Sequence, residues 1–341
     1  MTTGPVVFMG TPAFSVPFLD AILKSNRGVA LVITQPDKPK GRGQKLMPPP
    51  VKEFAITHNI PVLQPNKLSE PSVIDLIKNT NPEFIVVVAY GKIIPSAILK
   101  IPKKGCINVH ASLLPEFRGA SPIQWAIIKG CTVSGVTTML MDETLDTGDM
   151  LLQETLTVER TDTAGSLSLK LADIGPAILI KTLAGLETGE ILPVKQNHIM
   201  ASYASLIKKE DGIIKWNEPS ENIYNQIRGF DPWPGTYTFY KGKRWGIWKA
   251  EVVVITMENE NPPLCLRGGM GGLSSNEKFI SGEIIDIQTN GIIVATGDGA
   301  IKITEIQPEG KRRMRVEEYL RGHKVEKGVL LGVETGHIDS D

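Results

Sequence analysis

Phe84-Ile85-Val86-Val87-Val88-Ala89, closed by Tyr90-Gly91, decides the fold. An unbroken apolar run rich in β-branched side chains reads as a strand covered on both faces, since a half-exposed strand would alternate with polar residues. Such strands belong to parallel sheets held between helices. The flanks repeat the message. Val6–Met9 reads as a second buried strand ending at Gly10-Thr11-Pro12, and Pro17–Ser25 as a helix with Phe18, Leu19, Ile22 and Leu23 on one face. Ala30–Thr34 reads as a strand, and Val51–His58 and Ser72–Asn79 as helices. Downstream, Cys106–His110 and Gly135–Met141 are strands. Between them lies a helix with Ser121 at its N-cap, Pro122 in its first turn and Gly130 past its end. Thr163–Leu186 reads as helices broken near Gly175-Pro176. The alternation predicts an α/β fold: a Rossmann-like, mostly parallel sheet with helices on both faces.

Two regions depart from that rhythm. Gln35–Pro50 holds five prolines and two glycines with Lys38, Lys40, Arg42 and Lys45, which predicts a long basic loop. Beyond about residue 207 the pattern turns to short strands, at Ile213–Trp216, Thr236–Tyr240, Gly246–Val254, Gly282–Ile287, Gly291–Ala295 and Ala300–Ile306. Only Ser220–Arg228 reads as helical among them. Lys241-Gly242-Lys243 and Thr296-Gly297-Asp298-Gly299 stand where hairpin turns belong. The expected organisation is a first domain over 1–189, a linker over 190–207, a small C-terminal β-barrel of OB type over 208–310, and a tail over 311–341. Gly268-Gly269-Met270-Gly271-Gly272 reads as a flexible loop within the barrel.

Composition narrows the classes. The 37 basic and 37 acidic residues cancel, so any polyanion site must be local. Even residues 206–341 carry 18 basic against 20 acidic side chains, which denies that half a global pull on nucleic acid. Three cysteines, at 106, 131 and 265, without a CxxC pair, argue against a disulfide scaffold or a cysteine zinc site. The first residues have no basic n-region, and the longest apolar run is far too short for a membrane span. The expectation is a cytoplasmic monomer without a membrane partner.

Several motifs fail on inspection. Gly10-Thr11-Pro12-Ala13-Phe14-Ser15 lacks glycine at 12 and 15, so the close approach of a dinucleotide pyrophosphate is not built. The glycines at 268–272 have no following Lys-Ser/Thr, as a P-loop requires. Asp142–Gln153 lacks the glycine and terminal glutamate of a calcium loop. The remaining histidines, at 58, 198, 323 and 337, share no metal-ligand spacing. Trp125, on an amphipathic helix, reads as a core residue. Tyr240, Trp245 and Trp248, among Lys241, Lys243, Arg244 and Lys249, form a basic and aromatic hairpin, equally an ordinary exposed hairpin or a nucleic-acid contact.

One segment is more informative. Strand alternation puts Cys106, Asn108 and His110 on one face, with Asn108 and His110 near the strand's carboxyl end, where open α/β sheets bind ligands. A lone histidine there is usually a hydrogen-bonded structural residue. The adjacent Asn108 and the following Ser112-Leu113-Leu114-Pro115 weigh toward a site. Nothing nearby in sequence activates Cys106, which reads as a buried thiol. The acidic run from Asp142 to Asp149 is either a solvated loop or the source of a carboxylate for His110.

Longer stretches carry a resemblance. Phe8-Met9-Gly10-Thr11-Pro12, Thr34-Gln35-Pro36-Asp37, Gly41-Arg42-Gly43, Asn108-Val109-His110-Ala111-Ser112-Leu113-Leu114-Pro115, Arg118-Gly119-Ala120-Ser121-Pro122-Ile123-Gln124 and Leu145-Asp146-Thr147-Gly148-Asp149 closely resemble the methionyl-tRNA formyltransferase family. Pro232-Trp233-Pro234 extends the likeness into the second half. The Asn-x-His, Ser-Leu-Leu-Pro and Asp-Thr-Gly set is common to the wider 10-formyltetrahydrofolate transferases. The basic loop and the C-terminal barrel select the tRNA enzymes among them.

The resemblance implies transfer of a formyl group from 10-formyltetrahydrofolate to the α-amine of methionyl initiator tRNA, through an oxyanion-stabilised tetrahedral intermediate and without a metal. It implies Asn108, His110 and Asp146 as the catalytic set. It places Ser112, Leu113, Leu114 and Pro115 at the folate, helped by Tyr90 and Asp142. Phe14 becomes a wall of the methionyl pocket, and Arg42 with Lys38, Lys40 and Lys45 a clamp on the acceptor stem. A sister enzyme formylating a glycinamide ribotide or a sugar-nucleotide amine stays open on the sequence. So does an RNA-binding module on an idle scaffold. A nicotinamide dehydrogenase ranks third, disfavoured by Pro12 and Ser15.

Overall fold

The structure, a computed structural model, describes residues 4–40, 45–253 and 279–332. The chain divides into two compact units, residues 1–126 with 131–206, and residues 127–130 with 207–341.

The first unit begins β1 (Val6–Gly10), α1 (Val16–Lys24), β2 (Val29–Ile33), β3 (Lys38–Lys40), β4 (Lys45–Met47), α2 (Pro50–Thr57), β5 (Val62–Leu63), α3 (Pro71–Asn79) and β6 (Phe84–Val88). It continues α4 (Ser96–Leu99), β7 (Cys106–His110), β8 (Arg118–Gly119), α5 (Pro122–Ile128), β9 (Val133–Leu140), β10 (Met150–Thr157), α6 (Ala164–Thr188) and β11 (Tyr203–Ala204). Seven strands form the main sheet in the order β10-β9-β7-β6-β1-β2-β5. The run from β7 to β5 is parallel, while β9 and β10 join antiparallel at one edge. Every residue of β6 is buried, as its unbroken apolar sequence requires of a strand between two layers. On one face Val7, Met9, Ile33, Ile85 and Val87 pack with Val73 and Ile77 of α3 and Ile98 of α4. The other layer is α1 against α6, with α6 also lying along β9 and β10.

Two expectations for this unit need correction, and one strand goes unannounced by the sequence. Gly175-Pro176 does not break the helix: α6 is continuous from Ala164 to Thr188 with Pro176 inside it. Pro176 forgoes one main-chain hydrogen bond, which the burial of Leu167, Leu171, Ile178, Leu179 and Leu183 along the same helix outweighs. Gly175 serves packing, because a Cβ there would stand 2.4 Å from the Phe18 ring of α1. The basic segment is not all loop. β3 and β4 pair antiparallel as a two-stranded ribbon of their own, where Pro39 is tolerated because it sits on an edge. Finally, β10 had no clear signal in the sequence. It is an edge strand whose residues 153–155 are exposed, so its alternation is weak.

The second unit contains α7 (Ser220–Gly229), β12 (Thr236–Tyr240), β13 (Lys243–Val253), β14 (Ile284–Gln288), β15 (Gly291–Ala295), β16 (Ala300–Pro308), β17 (Met314–Arg315) and α8 (Val316–Leu320). They form an antiparallel sheet ordered β12-β13-β16-β15-β14, with β17 beside β16. Lys241 (φ 48°) and Gly242 (φ 74°) both take left-handed backbone between β12 and β13, as a tight two-residue hairpin needs. Ile213–Trp216 is not a strand: it contributes a single bridge, Ile213 to Tyr237. The far end of the sheet is tied back by the residues after α8. Gly328 N–H donates to Ile284 O, Leu331 N–H to Gly282 O, and Gly332 N–H to Phe239 O, at 2.8–2.9 Å. This arrangement is compatible with a small barrel. The aromatic hairpin is split between core and surface. Tyr240 and Trp245 stack inside at 4.4 Å, whereas the Trp248 indole is half-buried and donates to Gln307 Oε1. The glycine run at 268–272 lies outside the described residues. Among the described residues no helix is long and apolar enough to cross a membrane.

Candidate active site

β7 emerges between β6 and β9, with Asn108 opposite Val87 and Met139, and His110 opposite Thr137. Its carboxyl end meets the loop that joins β9 to β10, and that loop carries Asp146. Three side chains converge there. Asn108 Nδ2 is 3.4 Å from Asp146 Oδ1 and donates to it. His110 Nδ1 stands 3.8 Å from Asp146 Oδ2. The Gly119 N–H donates to the same Oδ2 at 2.8 Å. His110 Nε2 lies 2.9 Å from the Phe117 carbonyl oxygen. A carbonyl can only accept, so Nε2 carries the proton and Nδ1 is the nitrogen turned toward Asp146. Both side chains are largely withdrawn from water, at 7% exposure for His110 and 11% for Asp146. Low exposure strengthens electrostatic interactions among such groups.

Asp146 sits in left-handed backbone, with φ 53°. Aspartate tolerates that region better than most side chains, but the surroundings here also fix it. Gln196 does so, since its Nε2 donates to the carbonyls of Asp146 at 2.9 Å and Gly148 at 2.8 Å. Its Oε1 accepts from Arg118 Nε at 3.1 Å and Nη2 at 2.6 Å.

The segment after β7 is fixed as tightly. Ser112 Oγ donates to Glu116 O, and Thr137 Oγ1 donates to Ser112 O while accepting from Leu114 N–H. Gln153 Nε2 donates to Leu114 O. Leu114 and Ser112 are buried, and Leu113 and Pro115 half-buried. Tyr90 is placed differently from Asp142. Its ring is 1% exposed within the core beside Met9 and Ile33, and burial pushes its hydroxyl up to about 12. Its main-chain carbonyl accepts from Thr11 Oγ1 and Gln35 Nε2. Asp142 is exposed and accepts from Thr144 and Thr147 within its own loop.

Phe14 is half-buried with its ring 5.4 Å from that of Phe18. Lys38 and Lys45 are exposed on the β3–β4 ribbon, beside Leu46 and Met47, and Lys38 Nζ donates to Gln35. Lys40 ends β3, and Arg42 lies outside the described residues. Trp125 is not a core residue: it is half-buried and its indole donates to Ser205 O. Among the described residues, no three of His, Cys, Asp or Glu converge as metal ligands would.

Cys106 shares β7 with the site residues but lies at the opposite end of the strand, beside the end of α4. It is 2% exposed, its Sγ lies 3.8 Å from Leu99 O, and burial pushes the thiol up to about 12. At about pH 8 only a minute thiolate fraction exists, and it is enclosed. Iodoacetamide should therefore leave Cys106 untouched in the native protein and modify it after denaturation. Peptide mass mapping reads the difference, and native modification would contradict the burial.

Residues 5–183 match the family described as "Formyl transferase", and residues 206–324 match "Formyl transferase, C-terminal domain". The methionyl-tRNA formyltransferase of Alkaliphilus oremlandii is 46% identical over 327 residues, covering 96% of this chain and 99% of its own. The chain belongs to the methionyl-tRNA formyltransferase family. The family member of Clostridium tetani is 48% identical over the same shares of both chains. Solved structures agree on the fold. WlaRD, a sugar 3N-formyl transferase, superposes with a TM-score of 0.61 at 22% identity, covering 92% of this chain and 100% of its own. HypX from Aquifex aeolicus, in complex with tetrahydrofolic acid, superposes at 0.60 with 15% identity, covering 96% of this chain. The chain spans about half the length of HypX, 51%. At these identities the likeness is one of fold. Arg118, Gly119, Thr137, Gln153 and Gln196 make hydrogen bonds that hold the candidate residues or their neighbours, and the sequence alone assigns them no role. Arg118-Gly119 lay inside a quoted motif, but Gln196 lay in the expected linker.

Proposed function

We propose that this chain transfers the formyl group of 10-formyltetrahydrofolate to the α-amino group of methionine on charged initiator tRNA. The observation that carries the reading is the convergence of Asn108, His110 and Asp146 in a chain related to that family over nearly its full length. The donor supplies a formyl carbon on nitrogen. The neutral amine attacks that carbon, a new carbon–nitrogen bond forms, and the bond to the folate nitrogen breaks. One proton leaves the attacking amine and one arrives on the departing nitrogen. Negative charge gathers on the formyl oxygen as the carbon becomes tetrahedral.

The residues present fit this donor. One of Asn108's two amide hydrogens is directed at Asp146, which leaves the other for an oxyanion. His110 Nδ1 is the second ring nitrogen at the same place, and Asp146 holds Asn108 by hydrogen bond and faces the ring. The rigid main chain of 112–115 forms the bed for the folate. The main chain at Tyr90 and the Asp142 turn flank it, and Phe14 walls the methionyl side. Arg42, Lys38, Lys40 and Lys45 would hold acceptor-stem phosphates and bases. Residues 1–189 form the transfer domain, 190–207 the linker, 208–310 the barrel and 311–341 the tail, in a monomer acting in the cytoplasm.

The test is acceptor choice with one labelled formyl donor. Label should pass to charged initiator tRNA and not to a glycinamide ribotide or a sugar-nucleotide amine. Transfer to either small amine with none to tRNA would overturn the assignment.

A further inference from the structure

We infer that Gln196, held by the buried Arg118, is a positioning residue for the transfer reaction, acting on Asp146 through that residue's main chain. The inference rests on the proposed function, because it assigns the clamp to the same site. Gln196 is 5% exposed and Arg118 is 2% exposed, so this is an interior device and not a surface contact. Both amide hydrogens of Gln196 are used, one on Asp146 O and one on Gly148 O. Its carbonyl is gripped by two donors of the Arg118 guanidinium. That guanidinium also donates from Nη2 to His198 Nδ1 at 3.1 Å.

The geometry makes one closed circuit. Arg118 and Gly119 are neighbours in β8, whose two residues pair in parallel with Tyr203 and Ala204. Gly119 N–H holds the Asp146 carboxylate from one side. Arg118, through Gln196, holds the Asp146 carbonyl from the other. The carboxylate and the carbonyl of one residue are thereby referenced to a single dipeptide. Asp146 draws on both, because its φ of 53° lies in the left-handed region, which even aspartate occupies at some cost and which these contacts hold. If the backbone relaxes, the carboxylate swings away from Asn108 and His110, which are already at the long distances of 3.4 and 3.8 Å. A displacement on the order of 1 Å is enough to cost about 100-fold in rate. The segment after α6 is thus part of the site, not merely a tether.

The test uses the full chain with Gln196→Glu and Gln196→Ala, each alone and combined with Asp146→Asn. Gln196→Glu keeps the shape and the acceptor for Arg118 but removes both donors to the loop. Expected is a fall in kcat of roughly 10- to 100-fold for either single variant, with KM for donor and tRNA little changed. In the Asp146→Asn background, the Gln196 substitutions should add no further loss, because the residue they act through is already disabled. Hydrogen exchange of the 142–149 segment should accelerate in both Gln196 variants while β6 and β7 keep their protection. A wild-type kcat for Gln196→Glu or Gln196→Ala, or multiplicative losses in the double variants, would overturn the inference while leaving the proposed function intact. Absence of turnover in the wild type would instead strike the proposed function. The exchange measurement then still decides the clamp, since unaltered exchange at 142–149 would refute it.

Discussion

Asn108→Ala should lower kcat for formylation of charged initiator tRNA by about 100- to 1000-fold, with the melting temperature nearly unchanged. The size follows from what the amide is asked to do. A donor fixed where charge develops needs no reorganisation during the reaction. Fixation is visible in the structure. The main chain of Asn108 is locked between β6 and β9, and one amide hydrogen is directed at Asp146. Stability should survive because the ladder hydrogen bonds are main-chain and the side chain is only half-buried. The loss should appear in kcat and not in KM, since the donor's interaction strengthens only as the formyl oxygen becomes anionic. Asn108→Asp sharpens the test. It keeps the shape, removes the donor and sets a second carboxylate against Asp146 and against the developing charge, so its loss should be at least as large. Wild-type kcat in either variant would show that the oxygen is held by something else.

The fold was legible wherever burial on both sides made a residue run unmistakable. Phe84–Val88 and Cys106–His110 stand where their sequences place them, because a central parallel strand has no polar face to confuse its pattern. Legibility failed where tertiary context overrides local rules. Gly175-Pro176 looks like a helix end, yet Gly175 makes room for Phe18 and the helix continues through Pro176. β10 sits at the sheet edge, where one side is solvent and the alternation fades. For the candidate site, Asn108 and His110 could be paired from strand period alone, while Asp146 needed the resemblance, since it arrives 36 residues after His110 through a loop. Gln196 gave no sign at all. A lone glutamine in a polar stretch carries no periodicity, and its role exists only through hydrogen bonds to main-chain atoms 48 and 50 residues away.

Gly148→Ala should both destabilise the protein and disable it, although it changes neither a charge nor a hydrogen-bonding group. A methyl at 148 would stand 1.8 Å from the Leu140 carbonyl oxygen, a contact no side chain can relieve because both parties are backbone. Leu140 closes β9, and its N–H donates to Asp149 O at 2.9 Å, so the two ends of the loop are stitched together at this point. The loop can admit the methyl only by opening that stitch and stretching the Gln196 bond to Gly148 O. Forcing atoms into such packing costs about 1–3 kcal/mol. For a unit of this size that is a fall in melting temperature of roughly 2–12 °C. Because Asp146 lies two residues upstream in the same loop, its carboxylate moves with it, and kcat should fall by about 100-fold. Gly28→Ala is the matched control, since nothing lies within 4 Å of the added methyl and its φ is not in the left-handed region. It should leave melting and turnover as they are. If Gly148→Ala melts and turns over like the wild type, the loop is not pinned to the end of β9, and a rigidly presented Asp146 loses its physical basis.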